Sequence, residues 1–123
     1  MRKKYEENQR RDRENYNIHK KKVYTEKWSK LLKSNEDDIL TYSDIPWPFK
    51  KEISEMKTLL FCDIDVKSDD YRKYLRELQK QWHPDKFVQK LGHRLKPEER
   101  EEILNKVKEI SQELNKWSES SME

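Results

Sequence analysis

The segment Gln81-Trp82-His83-Pro84-Asp85-Lys86-Phe87 holds an imidazole and a carboxylate on either side of a proline. Groups fixed in this way suit charge-assisted hydrogen bonds to an arginine or a backbone group of a partner. They do not suit catalysis, because no serine or cysteine nucleophile is near in sequence. Two polar groups alone also make no metal site. A non-enzymatic role without metal or cofactor is therefore the expectation. The residues just before add a second feature. Arg72, Arg76 and Lys80 recur every four positions with Lys73 beside them, and only Glu77 interrupts the series. On a helix this spacing makes a basic ridge, which would steer an acidic partner surface toward His83 and Asp85.

Such a site needs two helices and a bend. Ser68 or Asp69 can cap a helix over Asp69–Trp82, with Asp69 and Asp70 at the positive end of its dipole. Tyr71, Leu75, Leu78 and Trp82 form its apolar stripe, with Tyr74 alongside. Pro84 disfavours helical geometry at His83 and should stop this helix, leaving His83 and Asp85 on an exposed loop tip. A further helix should open at Pro97, followed by Glu98 and Glu99. Its stripe of Ile103, Val107, Ile110, Leu114 and Trp117 follows a 4-3-4-3 spacing, and Ser118–Ser121 should end it in solvent. In the connection Phe87, Leu91 and Leu95 keep a spacing of four, so part of it should be helical, with Gly92 as a breaker. Two helices with one greasy face each predict an antiparallel hairpin.

Upstream, Phe49, Ile53, Met56 and Leu60 predict a shorter helix from Phe49 to about Cys62, laid across the hairpin. Tyr42–Pro48 contains two prolines, which push Ile45 and Trp47 into extended conformations on an apolar surface. Tyr24, Trp28 and Leu31, joined by Leu32, describe an amphipathic helix that ends near Asn35–Asp38. Residues 1–18 lack an apolar stripe and should be disordered or a charged helix. Trp28, Trp47, Trp82 and Trp117 fall where burial is expected, as core anchors rather than base-stacking platforms. His19 and His93 should face solvent. The expected fold is all-α, with a basic arm over 1–39, a helical hairpin domain over 40–118 and a disordered tail over 119–123.

Composition agrees with this class. Of the 123 residues 32% are hydrophobic and 43% charged, with a single glycine and no alanine. That excludes a β-sandwich or dinucleotide-binding sheet, which require many turn glycines and β-branched strands. Leu59–Cys62 is the longest clearly apolar run, too short to span a bilayer, and no signal peptide pattern follows Met1. Cys62 is alone, so neither an internal disulfide nor a Cys-based zinc site is possible. An intracellular location, nuclear or cytoplasmic, is expected. The charge is polarised: residues 1–34 carry twelve Lys/Arg and five Asp/Glu, a net of +7, whereas 35–123 carry a net of −4. Arg10, Arg11, Arg13, Lys20, Lys21 and Lys22 are the candidate polyanion contacts of this arm, toward RNA or an acidic protein surface.

His83-Pro84-Asp85 between two such helices resembles the signature of the J-domain family, the module by which DnaJ-type co-chaperones dock on DnaK-type heat-shock ATPases. Val107-Lys108-Glu109-Ile110-Ser111 is similar to that family's third-helix core pattern. A closer resemblance is to the C-terminal region of the NF-kappa-B inhibitor-like protein 1 family. It rests on Ser43-Asp44-Ile45-Pro46-Trp47-Pro48 ahead of Trp82-His83-Pro84-Asp85-Lys86-Phe87, and it covers roughly residues 40–117. The resemblance implies that His83, Pro84 and Asp85 trigger ATP hydrolysis on the partner, with Arg72, Lys73, Arg76 and Lys80 as the docking face. The 123 residues hold no ankyrin repeats, Gly/Phe-rich linker or Cys-rich zinc module. A J-like module serving as a structural or adaptor subunit of a large ribonucleoprotein or microtubule/axonemal assembly is the alternative expectation.

Overall fold

The computed structural model describes the backbone of residues 2–121, and side chains for residue 9 and residues 11–120. The described residues form five α-helices: α1 (Arg2–Lys33), α2 (Glu55–Leu60), α3 (Asp69–Gln81), α4 (Pro84–Leu91) and α5 (Arg100–Ser121), with 3-10 turns at Tyr42–Asp44 and Gly92–Arg94. The fold is all-α, and none of these helices is long and apolar enough to cross a membrane.

Helix α3 begins as its sequence dictates: the Ser68 hydroxyl accepts from the Tyr71 backbone N–H, and two aspartates occupy the first turn. Its stripe is buried, as are Ile103, Val107, Ile110 and Leu114 of α5, and the two helices pack together. They run antiparallel. The Phe61 ring touches Tyr71 and Tyr74 at the start of α3 and Trp117 near the end of α5, with centroids at 4.7, 5.3 and 5.8 Å. Phe61 caps α2, whose Met56 and Leu60 are fully buried.

Several boundaries differ from expectation. The helix foreseen from Phe49 is confined to Glu55–Leu60; Phe49 is buried but belongs to the irregular proline-bounded strap. Pro97 sits in a turn, and α5 opens at Arg100. Helix α5 also continues through Ser121 rather than stopping at Ser118; Met122 and Glu123 lie outside the described residues. At the other end α1 is continuous from Arg2, the charged-helix outcome of the two foreseen for residues 1–18.

The core does not respect the boundary between arm and body. Tyr24, Trp28 and Leu31 of α1 are buried in the same cluster as the α3, α4 and α5 stripes. The end of α1 is held by Arg94, which is only 5% exposed. Its guanidinium donates to the Asp38 carbonyl at 3.0 Å and the Ser34 hydroxyl at 2.9 Å, so a buried charge is matched by two acceptors from the segment that follows α1. Leu40 pairs with this loop through Leu40 N–H to Arg94 O (2.6 Å) and Lys96 N–H to Leu40 O (2.8 Å).

Candidate docking site

Trp82 is the hub that places the site. It is completely buried at the end of α3, stacked on Trp47 at 5.6 Å and edge-on to Trp28 at 5.0 Å. Phe87 of α4 stacks on its other side at 6.2 Å. Its indole N–H donates to the Tyr24 hydroxyl at 3.0 Å, which removes the cost of an unpaired buried donor. The Tyr24 phenol is pushed well above its ordinary pKa, chiefly by burial, so it stays neutral. Three separate segments thus fix the residue immediately before His83.

The bend is tighter than a loop. Pro84 is the first residue of α4, where its missing N–H has no intrahelical partner to lose, and only Trp82 and His83 lie between the two helices. His83 serves as N-cap, with Nδ1 accepting from the Asp85 backbone N–H at 3.2 Å. An accepting Nδ1 belongs to an imidazole whose proton is on Nε2, so the free nitrogen is a donor. His83 and Asp85 are both exposed and Pro84 is partly buried. The Asp85 carboxylate sits in the first turn of α4, where the dipole favours it. The corner therefore offers a donor and an acceptor on a rigid base.

Arg72, Lys73, Arg76 and Lys80 are all exposed on α3, and with steps of four they run toward this corner. Gln79, between ridge and core, donates to the Asn115 side chain at 3.0 Å and ties the ridge to α5. The polyanion candidates are spread differently. Arg11, Arg13, Lys20 and Lys22 are exposed, and the Lys20 ammonium lies 4.5 Å from the Tyr16 ring centre. Lys21 is turned onto the body, paired with Asp63 and lying over the Tyr74 ring at 4.5 Å. The side chain of Arg10 lies outside the described residues. His19 and His93 face solvent.

Two residues near the strap escaped the sequence reading. Lys106 of α5 lies over Tyr42, Trp47 and Phe49, at 5.1, 4.7 and 4.6 Å from their centres, and donates to the Tyr42 hydroxyl at 2.9 Å. Arg94 is the other. Both look like ordinary surface cations in sequence; the only signal near Lys106 was the cluster of aromatics around Pro46 and Pro48.

The model of the NF-kappa-B inhibitor-like protein 1 C-terminal domain matches residues 54–122. No curated protein and no solved structure matches the chain. The matched span takes in α2 to α5, with the His83 corner and the basic ridge, and leaves α1 and the strap outside. As it covers more than half of the sequence, this chain belongs to the NF-kappa-B inhibitor-like protein 1 C-terminal domain family.

Proposed function

We propose that the chain is a non-enzymatic, J-domain-like interaction module that docks a DnaK-type heat-shock ATPase. His83, Pro84 and Asp85 would engage the ATPase, and Arg72, Lys73, Arg76 and Lys80 would attract its acidic surface. The observation that carries this reading is the joint exposure of His83 and Asp85 on a corner immobilised by Trp82. A preorganised corner loses little conformational entropy on docking, and the ridge raises the rate of productive encounter. The test is ATP turnover by a DnaK-type ATPase with the full chain added. Stimulation that disappears with His83→Gln supports the reading; no stimulation, or stimulation indifferent to that substitution, removes it.

A second reading, as a structural or adaptor subunit of a large assembly, is favoured by α1. Residues 11–16 of that helix are all exposed, so this stretch stands clear of the core and offers Arg11 and Arg13 to RNA or an acidic protein surface. Native co-purification with crosslinking separates the two. Stable subunits crosslinked to α1, with the His83 corner covered, would favour this reading over ATPase docking.

A further inference from the structure

We infer that the groove between α1 and the Pro46–Pro48 strap docks an acidic amphipathic helix of a partner protein. The groove encloses about 1500 Å³, above the roughly 300–1,000 Å³ of small-molecule sites. One wall is a single face of α1 from Asn17 to Leu31, continued by Ser34 just past its end, about 25 Å long at 1.5 Å per residue, the length of a helical segment of four to five turns. The opposite wall is the strap and the outer side of α2. Val23 and Leu59 are partly buried along it, and Ile39 stands 66% exposed at its edge. An amphipathic helix would cover this apolar strip.

Charge decides the kind of helix. Lys27 and Lys30 rim the α1 wall and Lys50 lines the groove just after the strap; all three are exposed and none has an ion-pair partner among the described residues. Asp38, Asp44 and Glu55 also line the groove, but the Asp44 carboxylate is occupied by the Thr41 N–H and hydroxyl. Carboxylates flanking an apolar stripe would meet the three free lysines. Nucleic acid fits less well. The rings lining the groove are either buried (Tyr24 and Phe49) or already engaged by Lys106 and Trp82 (Tyr42 and Trp47), so they offer no stacking platform. His83 and Asp85 do not line the groove, so this surface is independent of the proposed ATPase docking.

The probe is a fluorescein-labelled 18-residue peptide with leucine along one helical face and glutamate on its flanks, titrated by anisotropy with the full chain. Saturable binding is expected, weakened at least tenfold by the combined K27E, K30E and K50E variant and by Ile39→Asp, and unchanged by His83→Gln. Those variants alter exposed positions, and circular dichroism verifies their fold. Failure of the glutamate peptide to bind overturns the proposal, as does equal binding of a lysine-for-glutamate counterpart. Binding indifferent to the groove variants, or tighter binding of oligo(U) through the same lysines, also overturns it.

Discussion

At the scale of single residues, the properties of the corner come from how one indole is held. Tyr24→Phe removes the acceptor of the Trp82 N–H and leaves a buried donor unpaired, so a loss of about 1–3 kcal/mol in urea unfolding is expected. Burial raises the pKa of Tyr24, and burial followed by the nearby Asp63 carboxylate raises that of Tyr74. A phenol whose folded pKa exceeds its unfolded one stabilises fully below the unfolded value of about 10, and that stability is lost as pH rises toward the folded value. Melting followed by circular dichroism should be level between pH 7 and 9 and decline above 10, and the decline should be shallower in Tyr24→Phe. His83 carries two duties that a pair of substitutions can divide. Asparagine is a good N-cap and alanine a poor one, so His83→Asn should keep the stability of α4 while His83→Ala loses about 1 kcal/mol. Both should abolish ATPase stimulation if the imidazole is what the partner reads. The exposure of His83 and Asp85 was legible from the proline between them. The capping bond was not, because it depends on α4 starting at Pro84 rather than after a loop.

At the scale of elements, stripes were more legible than boundaries. The Tyr71-Leu75-Leu78-Trp82 and Ile103-Val107-Ile110-Leu114 patterns give α3 and α5 directly, since burial repeats with the helical period. Boundaries depend on contacts that sequence spacing does not encode. Phe49 fits the period of α2, yet it packs beside Lys106 in the strap instead of joining the helix. The strap itself is pinned from α5 and the turn before it: the Tyr42 backbone N–H donates to the Glu99 carboxylate at 3.0 Å, and Lys106 lies against its three rings. Loss of one cation–π site and its hydrogen bond is worth about 1–2 kcal/mol. Lys106→Ala should therefore destabilise by that amount. Hydrogen exchange should quicken first at the Trp47 amide, which bonds to Ile45 within the strap, while the amides of α3 keep their protection.

At the scale of the whole molecule, α1 joins two regimes in one continuous helix. Its first half has no apolar stripe, and its second half supplies Tyr24, Trp28 and Leu31 to the core. The apolar stripe of Tyr24, Trp28 and Leu31 distinguished these halves in sequence, but the partners of that stripe did not follow from it, because they lie more than fifty residues away in Trp82 and Phe87. The consequence is an unequal response to truncation. Removing residues 2–16, among which 11–16 are exposed, should leave the melting temperature nearly unchanged, since surface positions away from packing contribute within about 0.5 kcal/mol each way. Trp28→Ala instead opens a cavity against Trp82 and Phe87 and should cost about 3–5 kcal/mol, a large share of the 5–15 kcal/mol typical of a small domain. Because Trp82 immediately precedes His83, that variant should also weaken docking at the corner. Measured side by side, unfolding and ATPase stimulation should both survive the truncation and both fall with Trp28→Ala. If residues 2–16 prove necessary for stimulation while stability is intact, the first half of α1 is itself part of the contact with the ATPase.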